Sequence, residues 1–117
     1  MKATEKQIEN AILEYLSYKP GFFWKNQSVG VYDPQKKVFR KAWGKHQING
    51  VSDILGVLPC GTFVAIEVKT SKGRLTDNQK HFISIILDNN AIAFVARSIK
   101  DVEEHLNDYW RKNADCN

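Results

Sequence analysis

The chain has 117 residues, of which 43% are hydrophobic and 26% charged, values that fit one compact soluble domain. No apolar run reaches the ~20 residues that span a bilayer, and the polar N-terminus lacks the apolar core of a signal peptide. We therefore expect a cytoplasmic protein with no membrane association, while the net charge of +4 favours a polyanionic partner only weakly.

The first predicted element is a helix that begins at a capping box, in which Thr4 is followed three residues later by Gln7. Apolar residues then recur at helical spacing until Pro20 ends the helix. Residues 22–32 are aromatic and β-branched at both ends, which predicts a strand or one arm of a hairpin. A turn then leads into a basic segment, for which we expect an exposed hairpin or flap.

The second half of the chain has a sharper pattern. Residues 54–58 and 62–69 predict the two strands of a hairpin. A second capping box, Thr76 with Gln79, opens a helix that ends near Asn89. Residues 91–96 form a continuous apolar strand of the buried kind, and Ser98 caps a final helix.

The predicted order is therefore α-β-β-β-α-β-α, an α/β fold with a mixed β-sheet flanked by helices. We expect one domain over residues 1–111, followed by a polar tail at 112–117. Cys60 and Cys116 form no C-x-x-C pair, so neither a structural zinc site nor a disulfide framework is expected, and both are predicted to be thiols.

Charged residues end the predicted strand 62–69. Because side chains of a strand alternate between faces, Glu67 and Lys69 project side by side where the strand body is buried. A half-solvated ion pair is the simplest interpretation. However, Asp53 opens the preceding strand of the same hairpin, which can return its carboxylate beside Glu67. Two carboxylates and a lysine make a site for a hard cation such as Mg²⁺, where the lysine can act on water or on a phosphate.

The motifs around these residues follow an ordered pattern. They are Gly50-Val51-Ser52-Asp53, Ile66-Glu67-Val68-Lys69, Gly73-Arg74-Leu75-Thr76 with Gln79, and Val95-Ala96-Arg97-Ser98 with Asp101-Val102. With the first helix they cover nearly the whole chain, and they resemble the VRR-NUC branch of the PD-(D/E)XK nuclease superfamily. Ser52 departs from the pattern, because it stands where the superfamily has proline. The resemblance implies a restriction-endonuclease-like fold and an Mg²⁺- or Mn²⁺-dependent endodeoxyribonuclease with no small-molecule cofactor.

The resemblance also implies roles for the charged residues of the hairpin. Asp53 and Glu67 would bind the metal, with the backbone carbonyl of Val68 as a further ligand. Lys69 would position the attacking water and stabilise the pentacoordinate phosphorus.

Three helical residues have family counterparts. Gln79 matches a glutamine that orients the lysine or the phosphate, although it also fits the Thr76 capping box alone. The family has an acidic or amide residue on the first helix, for which Glu9 is the better match and Glu5 a candidate ligand of a second metal. A solvated helix face is the alternative for both glutamates.

Positive charge is concentrated at residues 36–46, where five Lys or Arg and no acidic residue give a charge of +5. Such a stretch can contact phosphates, and aromatic side chains within it can stack on bases. Its candidate nucleic-acid-binding residues are Lys36, Lys37, Arg40, Lys41, Trp43, Lys45 and His46. Lys72 and Arg74 are further candidates for phosphate contacts. The alternative is a solvated hairpin whose Trp43 packs on the core.

One domain of this size holds one site, whereas a duplex has two strands. Stand-alone members of the family resemble dimeric resolvases, so the resemblance implies a homodimer that cuts branched DNA such as Holliday junctions. It also implies a phage or prophage origin and hence the cytoplasm of a bacterial or phage-infected cell. The alternative is a catalytically inactive nucleic-acid-binding module of the same fold.

Overall fold

The computed structural model describes residues 2–27, 31–33, 35, 38–40, 46 and 48–112, with the strands at 31–33 and 38–40 described by their backbone. Five strands rather than three precede the second helix, because the segment 22–32 is divided between two strands and the basic segment contributes a third. The elements in chain order are α1 (Glu5–Leu16), β1 (Phe22–Lys25), β2 (Val31–Asp33), β3 (Val38–Arg40), β4 (Ile54–Val57), β5 (Phe63–Val68), α2 (Asp77–Asp88), β6 (Ile92–Ala96) and α3 (Ile99–Lys112).

The main sheet has four strands in the order β1-β4-β5-β6. β4 runs antiparallel to β1 and to β5, so the predicted β4–β5 hairpin is confirmed. β5 and β6 are parallel, and α2 makes the crossover that a parallel pair requires. The prediction of a mixed sheet flanked by helices is thereby confirmed. β2 and β3 form a separate antiparallel pair.

The helices begin at the side-chain caps that the sequence predicts. Thr4 and Thr76 each accept a hydrogen bond from the N–H of the residue three positions later, Gln7 and Gln79. Each glutamine side chain accepts the threonine N–H in return, which completes both capping boxes. At α3, the Ser98 hydroxyl accepts a first-turn N–H at 3.4 Å. These caps fix where α1, α2 and α3 start relative to the sheet.

The hydrophobic core lies on both sides of β5. Val64 and Ile66 pack with residues of α1 and α3 on one face, whereas Ala65 packs against Phe82 of α2 on the other. Because side chains of a strand alternate, Glu67 shares the face of Ala65. The charged end of β5 is therefore directed to the side of the sheet that α2 covers.

Cys60 lies in the turn between β4 and β5 and is disulfide-bonded, so the prediction of a thiol there is wrong. The absence of a C-x-x-C pair argues against zinc and dithiol motifs, but it does not exclude a single disulfide. Cys116 and the rest of the predicted tail after Lys112 lie outside the described residues.

No helix in the described part of the chain is both long and apolar enough to cross a membrane. Most of the basic segment also lies outside the described residues, including Lys36, Lys37, Lys41, Trp43 and Lys45. Arg40 belongs to β3, where only the backbone is described, and His46 is exposed. The predicted nucleic-acid contacts of this segment stay predictions.

Candidate active site

Two charged residues are buried at the C-terminal end of β5. Glu67 is only 1% exposed, and Lys69, the first residue after the strand, is 9% exposed. The Lys69 N–H donates to the carbonyl of Ala96 at 3.1 Å, which extends the pairing with β6 past the end of the strand. This burial does not fit the half-solvated ion pair considered from the sequence, since exposed pairs keep most of their hydration.

Asp53 reaches the same point from the neighbouring strand. The register pairs Ile54 with Ile66, so the residue before β4 lies alongside Glu67. Its Oδ2 accepts a hydrogen bond from the backbone N–H of Val68 at 2.8 Å, and its carbonyl accepts one from the N–H of Asn26 at 2.7 Å. The hairpin therefore brings the two predicted carboxylates together and anchors one of them to the main chain.

Asp53 affects the protonation of Glu67. Burial raises the pKa of Glu67 to about 9, and a hydrogen bond with Asp53 and the negative charge of Asp53 act in the same direction. The charge of Glu5 adds a smaller upward effect on this pKa, whereas Lys69 lowers it. In the absence of a cation, Glu67 therefore keeps a proton at neutral pH.

The donor set fits a hard divalent cation. Oε1 of Glu67 is buried and accepts no hydrogen bond from any described residue, so it retains lone pairs for another ligand. A cation held between the half-buried Asp53 and the buried Glu67 would take the place of the Glu67 proton and offset the charge of both carboxylates. Across the described residues, no group of three or more His, Cys, Asp or Glu side chains is arranged to hold a metal. The protein thus offers two carboxylates, and the other ligands would be backbone carbonyls, water or substrate.

Gln79 forms the predicted capping box and also contacts Glu67, whereas its predicted role toward the lysine or the phosphate stays a prediction. Its Oε1 accepts the N–H of Thr76 at 2.9 Å, as the capping box requires. Its Nε2 donates to Oε2 of Glu67 at 3.3 Å. One side chain therefore closes the first turn of α2 and contacts the buried carboxylate, so the start of α2 and the end of β5 are held together.

The first-helix glutamates lie in different surroundings. Glu9 is buried, and its Oε2 forms an ion pair with Nζ of Lys25 on β1 at 3.2 Å. Glu5 is exposed in the first turn of α1, close enough for its charge to act on Glu67. Glu5 rather than Glu9 is thus the helical carboxylate whose charge bears on the site.

Arg97, which follows β6, was part of the motif pattern but not among the predicted site residues. Its Nη1 donates to the carbonyls of Thr70 and of Gly73, the latter at 2.8 Å. These bonds fix the turn that comes directly after Lys69. The sequence marked Arg97 only as part of the motif pattern, and the parallel pairing that places the residues after β5 and β6 at the same edge of the sheet is seen in the structure.

The same turn carries the predicted phosphate contacts. Lys72 and Arg74 are both exposed, on the loop between the end of β5 and the start of α2. At Gly73 an added Cβ would lie 3.3 Å from Cδ of Lys69, so a glycine here lets the loop pack on the lysine stem. Exposed cations are therefore found next to the half-buried Asp53 and the buried Glu67 and Lys69.

Residues 3–100 match the model of the VRR-NUC domain family, which is most of the chain. No curated protein and no solved structure matches the chain. The mixed sheet flanked by helices agrees with the restriction-endonuclease-like fold. The chain therefore belongs to the VRR-NUC domain family, which indicates a nuclease-type function.

Proposed function

We propose that this protein is a divalent-metal-dependent endonuclease that hydrolyses DNA phosphodiester bonds at a site formed by Asp53, Glu67 and Lys69. The observation that carries the proposal is the half-buried Asp53 beside the buried Glu67 and Lys69, where Oε1 of Glu67 accepts no hydrogen bond from any described residue. Buried carboxylates that are not neutralised by a salt bridge are costly, so a site of this kind is retained for chemistry or for a cation.

The metal ligands in this proposal are Asp53, Glu67 and the backbone carbonyl of Val68. A bound Mg²⁺ or Mn²⁺ supplies Lewis-acid polarisation of the phosphate and lowers the pKa of water. Asp53 is held for this role by the Val68 N–H, and Gln79 holds Oε2 of Glu67. Glu67 must lose its proton before it can bind a cation, because only the carboxylate is a ligand.

Lys69 acts on the substrate in this proposal. Its ammonium group is largely removed from solvent, where its interaction with an anion is stronger than in water. It orients the attacking water and offsets the negative charge that develops on the phosphorane oxygens. The exposed Lys72 and Arg74 contact neighbouring phosphates and position the strand.

The preferred substrate in this proposal is branched DNA, cut by a homodimer. The support is geometric, because one chain offers one Asp53–Glu67–Lys69 site and symmetric cleavage of two strands needs two. A homodimer related by a two-fold axis would present its two sites to the two related strands of a four-way junction. One domain over residues 1–111 carries each site in this proposal.

Cleavage of labelled four-way junction, linear duplex and single strand in Mg²⁺, Mn²⁺ or EDTA tests the proposal. We expect metal-dependent cutting that Glu67→Ala and Lys69→Ala each reduce by at least about 100-fold, the range for loss of a group acting on the transition state. Matched controls are Glu104→Ala and Lys112→Ala, which remove the same charges from exposed positions on α3. Tight DNA binding with no cutting in either metal would instead establish an inactive binding module.

A further inference from the structure

A groove of about 720 Å³ lies at the edge of the sheet where β5 and β6 end. Its walls are the N-terminal half of α1, the turn at residues 70–72 and the start of α3 at residues 97–100. The volume falls in the range of sites that hold small ligands or parts of larger ones. We call this feature the basic groove.

The basic groove carries positive charge only. Lys2, Lys72, Arg97 and Lys100 line it, and none of its lining residues, all within the described part of the chain, is acidic. Three of these cations are lysines with exposed side chains from three separate elements, so they surround the groove. Charge of a single sign in a concave surface concentrates anions.

The floor of the basic groove is aliphatic. Ile8 and Ala11 contribute from α1 and Ile99 from α3. Ile8 and Ile99 are half-buried, and Ala11 is exposed. An aliphatic floor between cations matches a ligand that is apolar in the middle and anionic at its edges. An unpaired nucleic-acid strand offers both phosphates and the apolar faces of its bases, whereas a duplex keeps those faces stacked inside and exposes only base edges and phosphates.

The basic groove and the candidate active site share the turn that follows β5. Lys72 follows Lys69 by three residues, and Thr70, also in the lining, is the next residue after Lys69. Three residues span at most about 10 Å, so Lys72 lies within that distance of Lys69. A strand whose scissile phosphate lies at Lys69 therefore reaches the groove within a few nucleotides. Arg97 holds the shared wall in place through the carbonyls of Thr70 and Gly73.

We propose that the basic groove binds an unpaired nucleic-acid strand next to the scissile phosphate, with phosphates at the cations and bases on the aliphatic floor. This proposal rests on the proposed nuclease function and narrows its substrate class, because among branched DNAs it favours those with unpaired nucleotides beside the cleavage point over a fully paired four-way junction. A fully paired duplex would contact the cations of the basic groove but not its aliphatic floor.

The test is the affinity of the wild-type protein and its variants for a single-stranded oligonucleotide and a blunt duplex, measured by fluorescence anisotropy in EDTA. Ala11→Glu places a carboxylate on the floor at an exposed helical position, so we expect single-strand binding at least 10-fold weaker and duplex binding changed less than about 2-fold. Ala11→Gln adds similar volume without charge and should weaken single-strand binding less. Lys100→Ala should reduce the slope of log Kd against log salt by about 0.7 for the single strand.

Lys112→Ala is the matched control for Lys100→Ala, because it removes a lysine from the opposite end of α3. Equal losses on single strand and duplex, or no loss with Ala11→Glu and Lys100→Ala, would overturn the proposal for the groove. Normal metal-dependent cleavage in that case would leave the nuclease proposal standing. The converse result is that the wild type cleaves no substrate in either metal while Ala11→Glu weakens single-strand binding as expected. That result would support the proposed role of the basic groove and overturn the proposed nuclease function.

Discussion

The backbone N–H of Val68 donates a hydrogen bond to Oδ2 of Asp53 at 2.8 Å. The donor belongs to the main chain of β5, so the position of the Asp53 carboxylate is set by the register of the β4–β5 hairpin. Glu67, the residue before the donor, is thereby brought against Asp53 whether or not a cation is present. The site is therefore preorganised for a cation, and the negative charge of Asp53 favours the protonated form of Glu67.

The first prediction concerns the pH dependence of stability without metal. The pKa of Glu67 is about 9 in the folded chain, against an ordinary value of 4.5. Between these two pKa values Glu67 is protonated in the folded chain and ionised in the unfolded chain. The free energy of unfolding therefore falls as pH rises from about 4.5 to about 9 and then levels off. Glu67→Gln stays neutral, which should make it several kcal/mol more stable than the wild type at pH 8.

Urea denaturation of both proteins in EDTA between pH 5 and 9 measures this difference. Glu104→Gln is the control, because it makes the same change at an exposed position of α3 and should leave the pH dependence unaltered. Parallel pH profiles for the wild type and Glu67→Gln would contradict the raised pKa.

The second prediction concerns stabilisation by divalent cations. A ligand that binds only the folded state stabilises it by mass action, by about 2.7 kcal/mol at 100 times its Kd. We therefore expect Mn²⁺ or Mg²⁺ to raise the Tm of the wild type by several degrees. Asp53→Ala and Glu67→Ala should abolish this rise, whereas Glu9→Gln should retain it, because Glu9 is paired with Lys25. Thermal scans with and without cation measure the effect, and an equal rise in Asp53→Ala would place the cation elsewhere.

The third prediction concerns Arg97 as a positioning residue. Arg97→Met keeps the aliphatic stem and removes the two hydrogen bonds to the turn after Lys69. We expect a loss of about 1 kcal/mol in the free energy of unfolding, together with faster amide hydrogen exchange at residues 70–74 and a several-fold lower kcat. Arg97→Lys, which can still donate to one carbonyl, should recover part of kcat.

The matched control is Arg111→Met, which breaks an exposed ion pair with Asp108 near the end of α3. It should change neither kcat nor exchange in the turn. Unchanged exchange at residues 70–74 in Arg97→Met would show that the turn does not depend on Arg97.

Local sequence rules predicted the parts of the fold that depend on neighbouring residues. The capping boxes at Thr4 and Thr76 and the β4–β5 hairpin follow from spacing within about fifteen residues. The meeting of Asp53 with Glu67 was predictable for the same reason, because a hairpin has few registers that keep its apolar face buried.

Contacts between distant segments were not predictable in this way. Glu9 pairs with Lys25 because β1 joins the edge of the sheet beside β4, and periodicity does not specify that strand order. Arg97 reaches the turn after Lys69 because β5 and β6 are parallel neighbours. Each of these contacts depends on tertiary packing, which sequence patterns constrain far less than they constrain a helix cap.

The last prediction concerns Gly50, which precedes the Asp53 motif. Its φ is +80°, and an added Cβ would lie 2.4 Å from the carbonyl carbon and oxygen of Asn78, in the first turn of α2. Gly61 has a similar φ of +89°, but an added Cβ there meets no atom within 4 Å. Gly61→Ala should therefore cost about 1 kcal/mol from backbone strain alone, whereas Gly50→Ala should cost at least about 2 kcal/mol.

Urea denaturation of the two variants separates the steric clash at Gly50 from the backbone strain, since both variants place alanine at a positive φ and share that strain. Gly50→Ala should also lower cleavage, because the clash displaces the start of α2 and with it Gln79, whose Nε2 contacts Glu67. Gly61→Ala should leave cleavage unchanged. Equal losses in the free energy of unfolding for the two substitutions would mean that α2 moves away from the new Cβ at no cost in stability. The contact of α2 with the Asp53 motif would then not be what holds the site together.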